Sequence, residues 1–429
     1  MGNAIRKRNY YAFKILLDAP LSVKSGEQLQ TDGDVLRNGG GEPFLPGTSI
    51  AGAFRGFLDE KTERKQILGY AENHSRMSSM FISDLYFDEG AVVSVRDGIR
   101  LGEDRLVDGD GKFDSEIVET GARGTLYISY ILREEDEELD IDGLMNMLAV
   151  AMNEGQIRFG SGKNRGRGKV RVEEVYVAEY DAATVDDWLE FQQNRRDVRR
   201  YPQCWKLEEW AKAKDRRAEY VFMTVPLRLT GGISIRRYST KPEVADFEQI
   251  TCNDKPVIPG SSWGGVIRSG AKALLREAGF GDGGEWLEPW FGYVKKTEQG
   301  ESEACQSMVV VEESILEGGT ALPMGRNRID RFSSAVQQGA LFSEIAWFQG
   351  RTTLRIGVRK DRNKHYEALL GLLLLVVKDI QDGYVAVGGQ SAVGRGIFAG
   401  DGEIVFSEEC EEQALKQSFA EFIRTGGAS

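Results

Sequence analysis

The chain repeats itself, and this feature constrains its fold more than any other. Pro43-Phe44-Leu45-Pro46-Gly47-Thr48-Ser49 with Ile50-Ala51-Gly52-Ala53-Phe54-Arg55 returns 213 residues later as Pro256-Val257-Ile258-Pro259-Gly260-Ser261-Ser262 with Trp263-Gly264-Gly265-Val266-Ile267-Arg268. Four further landmarks recur in the same order. Ile67-Leu68-Gly69-Tyr70 matches Trp290-Phe291-Gly292-Tyr293, Met80–Asp84 matches Met308–Glu312, and Asp104-Arg105 matches Asp330-Arg331. Gly166-Arg167-Gly168 matches Gly394-Arg395-Gly396. Chance would not hold that order. Length alone suggests about three domains at roughly 150 residues each; the repeat makes it two copies of one domain, 1–180 and 220–429, joined by a polar, partly helical linker over 181–219.

Each copy has the same coarse pattern. A strand opens it, Tyr10–Asp18 or Tyr220–Leu229. A glycine-containing loop leads to a Pro-Gly-[Thr/Ser]-Ser start and a helix, expected over Ile50–Leu68 and Trp263–Ala278, with Thr48/Ser49 and Ser261/Ser262 suited to cap it. A second helix comes late, Ile141–Glu154 and Tyr366–Ile380. A Gly-Arg-Gly loop and a last strand close the copy, Lys169–Val177 and Ile397–Val405. The order β-α-β-β-α-β with insertions is the ferredoxin-like split βαβ pattern, an α+β fold.

Composition narrows the chemistry. The net charge is −12, from 55 Lys and Arg against 67 Asp and Glu, which excludes a uniformly basic nucleic-acid coat. The charge is uneven: Glu134–Asp142 holds seven acids, while Arg158–Arg171 holds six bases and no acid. The four cysteines form no CxxC pair, which argues against a structural zinc site. The longest apolar run, Ala368–Val377, is half a membrane span and reads as a buried helix, so no membrane role and a cytoplasmic location are expected. Only two histidines, His74 and His365, are available for histidine-based catalysis, and neither lies in a motif. P-loop and GxGxxG spacings are absent.

The candidate binding residues follow from the repeat. Glycines let backbone approach an anion, and flanking cations neutralise phosphates. The loop 158–171 offers Lys163, Arg165 and Arg167; its counterpart 388–396 offers Gln390, Ser391 and Arg395. Ser49 and Ser262 sit at the helix starts, with Arg55 and Arg268 a turn or so further in.

The Pro-Gly-Ser-Ser helix start, the Phe-Gly element, the segment Arg326-Asn327-Arg328-Ile329-Asp330-Arg331-Phe332, then Gly339-Ala340-Leu341-Phe342-Ser343-Glu344, and the late Gly-Arg-Gly loop together resemble the RAMP superfamily of CRISPR-associated proteins. The first copy departs more, with Gly111-Lys112-Phe113 and Glu116 in place of the second copy's Gly-Ala-Leu-Phe and Glu344. The tandem arrangement resembles the double-unit backbone subunits of III-D-like effectors. The resemblance implies RRM-like RAMP domains with thumb hairpins, mapped to Asp330–Glu344 and Asp104–Glu119. It implies a guide RNA gripped by the G-rich loops and helix starts, with Arg328, Arg331 and Phe342 near the thumb. It further implies a complementary target RNA and neighbouring large, small and further RAMP subunits.

In cutting members of the family, an aspartate ahead of the Pro-Gly cleaves target RNA with a divalent metal, here Mg2+ or Mn2+. Asp32, five residues before Arg37, takes that place in the first copy, with Asp34 where the family has proline. Asp246 takes it in the second, with Thr251 in place of the arginine. Asp32 and Asp246 would be the metal-binding carboxylates; Asp34, Glu248 and Asp254 are alternatives. Residue type alone reads Asp32 and Asp34 as turn residues beside Gly33. Two rivals share the fold: a structural RNA-binding subunit that does not cut, and a guide-precursor-processing endoribonuclease.

Overall fold

The computed structural model describes residues 4–26, 31–58, 67–70, 76–102, 107–134, 136, 139–210, 218–238, 245–296, 302–361 and 363–427. The chain divides into two compact units, Met1–Lys163 with Arg167–Ala218, and Asn164–Gly166 with Glu219–Ser429.

Both units build the same antiparallel sheet. In the first, the strands lie in the order Met80–Ile82, Arg123–Arg133, Ile5–Leu17, Val170–Asp181, with Gln203–Lys206 added at the edge. In the second the order is Val309–Val311, Arg351–Arg359, Tyr220–Leu229, Phe398–Gly400. The opening strand is central in each, which is the ferredoxin-like arrangement expected from the sequence.

The central strand of the first unit shows why the sequence folds this way. Side chains alternate across a strand. Tyr11, Phe13, Ile15 and Leu17 face a core shared with Ile50, Phe54 and Phe57 of helix Gly47–Phe57, and with Leu144, Met145 and Leu148 of helix Ile141–Glu154. Tyr10 and Ala12 face the other way, into a cluster with Ala178, Phe191 and Tyr201. There the Tyr10 hydroxyl accepts hydrogen bonds from Trp188 Nε1 at 2.8 Å and Gln192 Nε2 at 2.6 Å. Part of the stretch expected as a linker thus covers the back of the first sheet, through helix Val185–Gln193.

In the second unit Trp263, Ile267, Ala271 and Leu275 recur every fourth residue and form the buried stripe of helix Gly260–Glu277. The apolar run lies in helix Tyr366–Gln381 and is buried nearly all round, because helix Glu412–Arg424 covers its outer side with Leu415, Phe419 and Phe422. Among the described residues no helix is long and apolar enough to cross a membrane.

Three expectations change. Helix Gly47–Phe57 starts earlier and ends sooner than Ile50–Leu68; Leu58 is already extended, and 59–66 lie outside the described residues. The caps are Pro46 and Pro259, not the serines or Thr48, because helical geometry already begins at the following glycine. The last strand of the second unit is broken into Phe398–Gly400 and Val405–Phe406. Its partner Pro226 turns its carbonyl toward Asp401, whose N–H donates to it at 3.1 Å, and has no N–H to return.

The Gly-Arg-Gly loops are fixed by backbone packing. Gly168 and Gly396 hold φ of +75° and +71°. A Cβ on either would stand 1.8 or 1.9 Å from the carbonyl oxygen of Phe159 or Val387. Matching hydrogen bonds close both loops: Phe159 N–H to Gly168 O and Val387 N–H to Gly396 O, each 2.9 Å. Gly168→Ala and Gly396→Ala are each expected to destabilise their unit. The left-handed backbone alone costs about 1–2 kcal/mol, and the clash adds to it; chemical denaturation midpoints would check this.

Candidate functional site

In each unit the first helix starts where a glycine meets the neighbouring strand end. A Cβ on Gly47 would lie 2.6 Å from the Ile82 carbonyl oxygen, and on Gly260 2.3 Å from that of Val311. The Gly47 N–H donates to Asp84 Oδ1 at 2.8 Å, so an aspartate from outside the helix does the capping. Ser49 and Ser262 are left in the first turn, half-exposed, with their hydroxyls uncommitted to a cap.

Beside that helix start, the first unit has an open groove of about 410 Å³, lined by Lys24, Ser49, Gly52, Gly160, Ser161 and Lys163 among others. It brings together the helix start and the G-rich loop, two regions the sequence reading had marked separately. Ser161 N–H donates to Ser22 O at 2.7 Å and holds the loop against the chain leaving the first strand. Burial pushes the Lys163 ammonium below its ordinary pKa, so it is a partly desolvated cation. Lys24, exposed on the same groove, was missed, because a lone lysine in a loop carries no motif.

The other marked cations divide by what they already hold. Arg55 Nη2 donates to the Leu68 carbonyl at 3.1 Å, so it fastens its helix to the following chain. Arg167 Nη1 reaches Ser115 Oγ at 3.5 Å. Arg395 lies over the Phe348 ring at 4.5 Å. Gln390 spends its amide nitrogen on the Glu344 carboxylate. Arg165, Arg268, Arg328 and Arg331 are exposed, and Ser391 is half-exposed. The second G-rich loop is weaker in charge and shows an exposed Val393 near its tip.

Asp32 and Asp246 are both exposed, each on the loop ahead of its Pro-Gly, and each is clasped to the outgoing strand of an adjacent hairpin. Asp32 Oδ2 accepts the Asp114 N–H at 3.1 Å, and Asp32 N–H donates to Asp114 Oδ1 at 2.9 Å. Asp246 Oδ2 accepts the Ser343 N–H at 2.7 Å and its hydroxyl at 3.2 Å, and Asp246 N–H donates to Ser343 O at 3.1 Å. Asp246 Oδ1 accepts no hydrogen bond among the described residues.

The alternative carboxylates have other work. Asp34 is buried, and its Oδ1 takes the Thr31 N–H and hydroxyl at 2.9 and 2.8 Å, which makes it a turn former. Glu248 pairs with Arg237 at 2.9 Å. Asn253 and Asp254 have φ of 47° and 62° and form the two-residue turn between strands Thr251–Cys252 and Lys255–Ile258. Among the described residues no three His, Cys, Asp or Glu gather as a metal cage. Asp32 and Asp246 each offer carboxylate oxygen, the donor type that hard divalent cations take.

The hairpins are longer than the sequence suggested: Val93–Leu101 with Val107–Val118, and Thr320–Ile329 with Val336–Phe348. Asp104-Arg105 lies outside the described residues. The second hairpin leaves Phe332 at its tip 91% exposed and Leu341 70% exposed, while Phe342 is half-buried. Asp330 shapes that tip: its carboxylate takes the N–H groups of Phe332 and Ser333, which holds it below its ordinary pKa.

Each hairpin base holds a buried glutamate. Glu116 pairs with Arg37 at 2.8 Å and accepts the Val35 N–H at 3.0 Å. Glu344, 1% exposed, pairs with Arg236 at 3.1 Å and Arg326 at 3.2 Å. The arginine missing at Thr251 is therefore supplied from another strand. The sequence showed both glutamates only as motif ends, and burial gives them their role.

Two matching helix starts, two G-rich loops and two hairpins set the frame for comparison. The model of the RAMP superfamily matches residues 14–171 and again 226–399. The chain belongs to the RAMP superfamily. It carries two RAMP domains in tandem and is a CRISPR-associated RNA-binding subunit. No curated protein matches it.

Arg37→Ala is expected to leave Glu116 buried with one backbone partner and to cost about 1.5–3 kcal/mol, the range for a hydrogen bond to a charged group. Chemical denaturation of the variant beside the parent would measure it.

Proposed function

We propose that this RAMP protein is a guide-RNA-binding backbone subunit of a type III, III-D-like, CRISPR effector complex that cuts complementary RNA at two aspartate sites. Its partners are then a guide RNA, a target RNA, the large and small subunits and further RAMP subunits of the complex, in the cytoplasm. One observation carries this reading: Asp32 and Asp246 are exposed carboxylates on equivalent loops, each fastened to the strand leaving a hairpin with exposed apolar side chains. A base step opened by such a hairpin would leave its phosphate beside the aspartate. A divalent cation, Mg2+ or Mn2+, when bound there would neutralise charge at the scissile phosphate. The carboxylate would hold that cation, and its backbone clasp would limit how far the carboxylate can turn.

The sheet face that RRM domains use for base stacking is covered in the first domain by Phe191, Tyr201 and Trp188. RNA contact there moves to the groove with Lys24, Ser49 and Lys163. A non-cutting structural subunit is the second reading, favoured by the backbone hydrogen bonds that already occupy one oxygen of each aspartate. Guide-precursor processing has least support, since His365 is packed edge-on between Trp286 and Phe422; His74 lies outside the described residues.

In an assembled complex with guide RNA, labelled target and Mg2+, Asp32→Ala and Asp246→Ala are each expected to delete a different product band. A parent that binds target without cutting it decides for the structural reading. Lys163→Ala and Arg165→Ala are each expected to weaken guide binding and lower the salt-dependence slope by about 0.7 per lost phosphate contact, read from affinities over a salt series.

A further inference from the structure

We propose that Gln390 is a positioning residue: by holding Glu344 it sets the Ser343–Asp246 clasp, so the second G-rich loop and the loop carrying Asp246 are placed as one assembly. This deepens the reading of the second domain, and its consequence for cutting rests on that reading.

Gln390 carries two costs. Gln390 has φ +61°, a left-handed conformation that side chains disfavour. The repeat places Gly162, φ +73°, at the same position of the first domain, where the conformation is cheap. Gln390 Oε1 is also buried with no hydrogen-bond partner among the described residues. Against these costs stands one contact: Nε2 donates to both Glu344 oxygens, at 3.0 and 2.8 Å. Arg236 and Arg326 already balance the charge of that carboxylate, so the amide adds geometry rather than neutralisation.

The geometry it fixes leads to the aspartate. Glu344 pairs with Phe247 in a parallel register between strands Val336–Phe348 and Phe247–Gln249. One residue earlier on each strand, Ser343 N–H and hydroxyl meet Asp246 Oδ2. Gln390 is therefore two hydrogen-bonded links from Asp246, along a strand that cannot slip by one residue without exposing Glu344.

The test uses the assembled complex with guide RNA and two variants. Gln390→Gly removes the tether and the strain together; Gln390→Met removes the hydrogen bonds and keeps the length. The Gly variant is expected to melt no lower than the parent, a result that a purely structural role would not give. In both variants the Ser343 amide is expected to exchange hydrogen about fivefold or more faster. In both, the rate of the Asp246 product is expected to fall about 10- to 100-fold relative to the Asp32 product, the size of a small misplacement. Unaltered Ser343 exchange in both variants overturns the proposal. A parent that makes no product overturns the proposed cleavage instead, while the exchange measurement still decides whether Gln390 sets the clasp.

Discussion

The contact on which both domains depend is a backbone packed directly on a backbone. Gly168 against Phe159 and Gly396 against Val387 leave no room for a side chain, and both glycines hold a left-handed turn. That contact closes the G-rich loop onto the chain entering it and delivers the last strand to the sheet. The same economy recurs where Gly47 and Gly260 meet the neighbouring strand end. Between the first domain's helix start and G-rich loop lies a groove lined by Lys24, Ser49 and Lys163. Many of the glycines thus serve the fold through tight turns and close backbone contacts.

Buried charge organises the second half of each domain. A hairpin that carries exposed apolar residues gains little from its own core, so its base must be fastened otherwise. Glu116 and Glu344 do this, each buried and each met by arginine. A carboxylate in that setting strongly disfavours any register that exposes or unpairs it. The exposed aspartates beside these bases inherit that rigidity through hydrogen bonds to the hairpin strand. The two domains reach this end by different routes: Arg37 lies on the aspartate's own loop, while Arg236 and Arg326 come from other strands. The second domain thus keeps the arrangement although its loop lost the arginine.

Much of this was legible in the residues. The repeat, the order of elements and the two late helices could all be read from spacing, while the pairing of Asp32 with Asp246 came from the RAMP resemblance. The Ile141–Glu154 helix appeared with Leu144, Leu148 and Ala151 buried, as its periodicity required. Other features were hidden for physical reasons. Ser49 and Ser262 resemble caps by type, but helical geometry starts at the preceding glycine, which the close approach at the strand end imposes. Asp34 differs from Asp32 only in which way a two-residue turn points it. Arg55 looks like a phosphate ligand by type, and only the fold shows that it also donates to the carbonyl of Leu68, thirteen residues on. Lys24 carried no signal at all.

The sequence by itself determined that one ferredoxin-like RAMP domain occurs twice, because hydrophobic period, glycine placement and the repeated Pro-Gly-Ser motif are local and ordered along the chain. Only the tertiary structure decided which polar groups are spent on the fold and which stay open at the surface. That choice depends on burial and on partners as much as 80 or more residues away, such as Asp114 for Asp32 and Ser343 for Asp246. Residue type records neither.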